Sequence, residues 1–173
     1  MKVVNIGDKV INIEKVHRII DRIFEMRSRG YSQQEIASRF NTDRTFISRL
    51  ESLGEVRRGG NIAVIGFPIG NKAEIEQVLD KHGVGFKLLL SEKERWDFVL
   101  GLSGPELVNR VMDLIAEVRS YDVVIFLGSD KRSEIIEGIL DNDVITVNIG
   151  PSPLTQDVYV EPSVIEELLN SIK

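Results

Sequence analysis

Ser32-Gln33-Gln34-Glu35-Ile36-Ala37-Ser38-Arg39-Phe40-Asn41-Thr42-Asp43-Arg44-Thr45-Phe46-Ile47-Ser48-Arg49-Leu50 is the stretch that decides how the first third of this chain folds. Ser32 and Glu35 stand three apart and read as a capping box, each side chain serving a backbone amide of the other end. A short helix follows, with Ile36, Ala37 and Phe40 as its apolar positions. Asn41 tolerates a positive φ cheaply and suits a tight turn. Thr42 is expected to cap the next helix, with Asp43 close to its positive N-terminal end. Phe46, Ile47, Leu50 and Leu53 then recur at helical spacing, and Gly54 closes the element. Two helices joined by so short a turn and crossing steeply make a helix-turn-helix. Ala37 is the small residue that a close crossing needs, and Ile47 and Leu50 pack the second helix onto the first.

Upstream, Ile13, Val16, Ile20, Ile23 and Phe24 trace one face of an earlier helix. Gly30 ends it at a left-handed position where a side chain costs energy. Residues 1–12 fit an arm, a small strand pair or part of a dimer contact. Downstream, the text changes at Gly59-Gly60 from helical spacing to β-α alternation. Apolar strands are expected at 61–66, 86–90, 122–128 and 144–150, with helices at 72–82, 104–118, 131–140 and 163–172. Residues 94–100 carry no assignment. Strands separated by helices imply right-handed crossovers and a parallel sheet covered on both faces. The expected fold class is α/β. A three-helix helix-turn-helix domain (1–58) precedes a four-stranded, mainly parallel, Rossmann-like domain (61–173).

The chain has no cysteine, which removes disulfides, thiolate metal ligands and cysteine nucleophiles. Its opening residues lack the apolar core of a signal peptide, and no stretch approaches the ~18 apolar residues of a membrane span, so a cytoplasmic, membrane-free protein is expected. The formal net charge of −5 is unevenly spread. Residues 13–60 carry ten Lys/Arg against seven Asp/Glu, whereas residues 61–173 carry ten against nineteen. A basic segment on an acidic body is the pattern of a module with an anionic partner.

Gln33-Gln34-Glu35-Ile36-Ala37 and Asp43-Arg44-Thr45-Phe46-Ile47-Ser48-Arg49-Leu50 together resemble the helix-turn-helix of bacterial and archaeal transcriptional regulators, both the Cro-like group and the larger sugar-responsive regulators. The resemblance covers about a quarter of the chain, and Thr42 departs from the hydrophobic residue such motifs often carry there. It implies that the second helix enters the major groove of double-stranded DNA with Asp43, Arg44, Thr45, Ser48 and Arg49 outward. Arg44 is then the candidate for a bidentate contact to guanine. Ser32, Gln33, Arg49, Arg57 and Arg58 are candidates for phosphate contacts, which fix register. Phe46 either packs beneath the first helix, the favoured reading, or lies exposed beside a thymine methyl. One helix-turn-helix reads few bases, so a homodimer is expected.

Open parallel sheets bind ligands at the carboxyl ends of their strands. Gly66, Phe67, Gly70, Asn71, Ser91, Gly128, Ser129, Asp130, Asn148 and Ser152 fall there and are candidates to hold a small-molecule effector. Gly66-Phe67-Pro68-Ile69-Gly70-Asn71 is neither a dinucleotide fingerprint nor a phosphate-binding loop of the Gly-Lys-Ser/Thr type. Asp130 is expected to cap a helix, and His82 to sit at a helix end. Two isolated histidines without spaced carboxylates make neither a metal site nor a triad, so no catalytic residue, metal or cofactor is expected. The reading is a DNA-binding regulator. A small nucleotide- or metabolite-binding enzyme and a protein-interaction module are the alternatives.

Overall fold

The computed structural model describes residues 2–56 and 58–173. In chain order its elements are β1 (Val3–Ile6), β2 (Lys9–Asn12), α1 (Ile13–Ser28), α2 (Gln33–Arg39), α3 (Arg44–Leu53), β3 (Ile62–Gly66), α4 (Lys72–Lys81) and β4 (Phe86–Leu89). They continue with α5 (Glu92–Leu100), α6 (Gly104–Val118), β5 (Val123–Ser129), α7 (Asp130–Ile139), β6 (Asp143–Gly150) and α8 (Pro162–Ile172). Two compact units result, Met1–Glu55 and Val56–Lys173. Among the described residues no helix is long and apolar enough to cross a membrane.

In the first unit β1 and β2 pair antiparallel about Gly7-Asp8, with Ile6 opposite Lys9, so the opening residues form a small strand pair. Asn12 starts α1 by accepting from the Lys15 amide at 3.0 Å. At its far end Gly30 takes φ 93°. The Gly30 amide there donates to Arg27 O, and the Tyr31 amide to Met26 O, at 3.0 and 3.2 Å. These are the paired bonds of a Schellman stop. The capping box at Ser32 forms as read. Asn41 has φ 51°, and the Thr42 amide reaches back to Ala37 O at 2.9 Å, which stops α2 the same way. One expectation changes here. Asp43, not Thr42, caps α3, because its carboxylate accepts from the Phe46 amide at 2.8 Å. Ile23, Met26, Ile36, Ala37 and Ile47 make the core that joins the three helices.

The second unit is α/β with a four-stranded parallel sheet in the order β4-β3-β5-β6. Period-2 alternation divides its strands between two faces. Ile62, Val64, Val123, Ile125 and Leu127 pack with Ile75 and Leu79 of α4 and with Ile165 and Leu169 of α8. Ala63 and Val124, with Ile65 and Phe86, face Val118 of α6 and Ile136 of α7. The chain leaves β3 toward β4 over one face and returns to β5 over the other, so the order reverses at β3. Residues without an assignment in the sequence fold as α5, started by a capping box between Ser91 and Glu94. The expected cap at Asp130 is also corrected. Ser129 holds the N-cap position, and the Asp130 carboxylate accepts from the amides of Lys131 and Ser152, each at 2.8 Å.

Candidate functional site

On the first unit, Asp43, Arg44, Thr45, Ser48 and Arg49 all lie exposed, as does Ser32, while Gln33 is half-buried. A chain of polar contacts fixes part of this surface. Arg27 of α1 pairs with Glu51 of α3. The Gln33 Nε2 donates to the other Glu51 oxygen at 2.8 Å. Its Oε1 accepts from Arg44 Nε at 3.3 Å. Turning that amide over would break both bonds, so the chain sets the direction of the Arg44 guanidinium from three helices at once. Arg27 holds the Glu51 carboxyl below its ordinary range. The Ser32 hydroxyl serves the capping box, donating to Glu35 Oε2 at 2.6 Å and accepting from the Glu35 amide at 3.2 Å. Phe46 is 44% exposed and lies outside the core of this unit, against the favoured packing reading. Arg58 is exposed and belongs to the second unit. Arg57 lies outside the described residues.

At the carboxyl edge of the sheet, the expected polar groups are bonded within the protein. Ser129 is fully buried and its hydroxyl meets that of Ser152 at 2.7 Å. Asn71 clamps Val160, donating to its carbonyl at 2.7 Å and accepting from its amide at 2.9 Å. Asn148 accepts from the Gly150 amide at 2.9 Å. Ser91 is held by its own capping box. The glycines serve close packing. A Cβ on Gly66 would lie 3.1 Å from Leu127 Cβ and from Leu89 Cδ2. One on Gly70 would lie 3.4 Å from Asp157 Cβ, and one on Gly128 would overlap the Phe126 ring.

Phe67 differs from these neighbours. Its ring stands edge-on to Phe126, with centroids 5.6 Å apart, and faces a cavity of about 440 Å³. The cavity lies between the sheet and α5, α6 and α7, against Leu88, Leu90, Trp96, Phe98, Leu114 and Ile136. Among the described residues its charged lining residues are Arg95 and Arg132. The Arg132 guanidinium sits 5.2 Å from the Phe67 ring centroid, and that of Arg95 5.3 Å from the Trp96 ring. Arg95 pairs with Glu92 at 2.7 Å, and the Trp96 indole donates to the same Glu92 oxygen at 2.9 Å. Burial first, and then the charge of Arg95, lower the pKa of Arg132. The Nη1 atoms of both arginines, and Glu92 Oε2, are buried without a hydrogen-bond partner among the described residues. Sequence reasoning missed this cavity because α5 went unassigned. The Ser91-to-Glu94 spacing, the same as Ser32 to Glu35, was the signal that marks its start.

Comparison with protein-family models, with curated proteins and with solved structures finds no match to this chain.

Proposed function

We propose that this chain is a dimeric, sequence-specific DNA-binding regulator, with a helix-turn-helix in Met1–Glu55 and a Rossmann-like dimerisation and sensing domain in Val56–Lys173. The observation that carries the reading is the Arg27–Glu51–Gln33–Arg44 chain. It holds one arginine at the exposed start of α3 and consumes the only acid within that helix. The left-handed Asn41 and the buried Ala37 between α2 and α3 support it, because both are what a tight, steeply crossed helix pair requires. Arg44 reads a base edge, Thr45 and Ser48 line the groove, and Arg49 meets phosphate. Support for the dimer comes from α6, where Val108, Val111 and Met112 form an exposed apolar stripe at helical spacing.

The test is selection of bound duplexes from a random library at near-physiological salt. An inverted repeat with half-sites ~10 bp apart is the expected product. Arg44→Ala should then lose ~1–3 kcal/mol of discrimination at one position in each half-site. Affinity should fall by about 0.9 log units per log unit of salt for each phosphate neutralised. A folded protein that enriches no duplex overturns the reading. Exposure of Phe46 and of Leu53, at 44% and 86%, favours a second reading in which α3 docks on protein. That reading expects binding indifferent to Arg44→Ala and weakened by Leu53→Asp.

A further inference from the structure

The cavity beneath α5 and α6 combines two features that rarely coincide by packing alone. Its walls are aliphatic and aromatic, yet Arg95 and Arg132 are among its lining residues. An apolar gap left by imperfect packing would not attract arginines, whose burial without a partner is costly. Each arginine keeps one buried Nη1 with no partner among the described residues. Glu92 forms an ion pair with Arg95 and leaves two arginines against one acid, so the cluster retains one net positive charge. A volume of about 440 Å³ falls within the ~300–1,000 Å³ of sites that enclose small ligands.

We infer that this cavity binds an organic monocarboxylate with an extended apolar body, its carboxylate held between Arg95 and Arg132 and its body against Phe67, Leu90, Trp96, Phe98 and Leu114. Planar guanidinium forks match a carboxylate, and the apolar lining strengthens the pairing. Phe67 and Trp96 place an aromatic ring within 5.2 and 5.3 Å of the Arg132 and Arg95 guanidinium groups. The position also joins the ligand to α7, which begins at Asp130 directly after β5. The site stands on the cavity itself, while its service as an effector site rests on the regulator reading above.

Isothermal titration of the full chain, without DNA, tests the site independently of that reading. The probes are decanoate and 2-naphthoate as aliphatic and aromatic acids, decan-1-ol as the body without the charge, and acetate as the charge without the body. At least one of the two acids should bind, decan-1-ol about tenfold or more weakly, and acetate not at all. Arg132→Gln should cost the acid about tenfold while leaving thermal unfolding of the unliganded chain unchanged or raised, since an unpartnered charge is removed. Leu114→Trp, which fills the cavity, should abolish binding and leave the mass in sedimentation unchanged. Three results overturn the inference: neither acid binds; decan-1-ol binds as tightly as the acids; or Leu114→Trp changes the oligomeric mass, which would assign the groove to a second copy of the chain.

Discussion

Replacing Ile47 with valine tests whether the first unit stands on a core of its own. Ile47 is fully buried and packs with Ile23, Met26, Ile36 and Ala37. The change deletes one methylene from a close-packed site, and buried Ile→Val substitutions cost ~0.5–1.5 kcal/mol. A unit the size of Met1–Glu55 has a stability of ~3–8 kcal/mol at roughly 0.05–0.15 kcal/mol per residue. A loss of about 1 kcal/mol is therefore large but leaves the unit folded. With a urea slope of ~1 kcal/mol/M for so small a unit, its midpoint should fall by about 1 M. Two probes separate the units. The single tryptophan, Trp96, lies in Val56–Lys173, so its fluorescence reads the second unit alone, while far-UV circular dichroism reads both. The dichroism should acquire an earlier phase, and the Trp96 midpoint should not move. An equal shift of both probes would refute the reasoning, because it would mean that one cooperative core spans the chain.

Asn41→Gly should leave the stability of the first unit within about 0.5 kcal/mol, whereas Asn41→Val should cost ~1–2 kcal/mol because a β-branched residue resists a φ of 51°; urea midpoints by dichroism compare them. Gly66→Ala should destabilise the second unit by ~1–3 kcal/mol, since its Cβ would press on Leu127 Cβ, which the sheet holds in place; Trp96 fluorescence during unfolding measures it. The bond from Lys72 lowers the Glu94 pKa to about 2 from an ordinary 4.5. A carboxyl with a depressed folded pKa adds stability above its unfolded pKa and loses it as pH falls toward the folded one. Stability of the second unit should therefore decline between pH 4.5 and about 2, and Glu94→Gln should flatten that limb of the unfolding profile.

Local signals with a single physical cause were legible in the sequence. Gly30 and Asn41 mark positions where only a few residue types tolerate positive φ, and both take it. The box from Ser32 to Glu35 names its own hydrogen bonds, and both form. Runs such as residues 122–128 read as buried strands because Val123-Val124-Ile125-Phe126 is β-branched and aromatic over a length too short for a typical helix. What failed depended on contacts remote in sequence. Thr42 and Asp43 are both good caps, and the backbone bond from Thr42 to Ala37 O places Thr42 in the stop of α2, leaving Asp43 to start α3. Helix α5 escaped notice because none of its side chains is fully buried, so its apolar spacing carries no stripe. The cavity was invisible for the same reason. Arg95 and Arg132 come together only when α5 and α7 cover one face of the sheet.

The total charge of −5 differs from the local charge around α3. From Ser32 to Leu53 the acids are Glu35, Asp43 and Glu51, and each is engaged by N–H or O–H donors of its own unit. Arg39, Arg44 and Arg49 in the same stretch are exposed, as are Glu35 and Asp43, so with Arg27 the surface around α3 carries four arginines against three acids. The field an approaching polyanion meets is set by charges within roughly a Debye length, about 8 Å at physiological ionic strength, and not by the total of −5. Neutralising Glu51 tests this directly. Glu51→Gln keeps the shape of the side chain but frees Arg27 and loosens Gln33, so Arg44 loses its tether while the surface gains a positive charge. If electrostatics alone governed the proposed DNA contact, the variant would bind all duplexes more tightly. If the tether governs it, discrimination at the Arg44 position should fall even as total affinity rises, and the ratio of selected to random duplex bound separates the two.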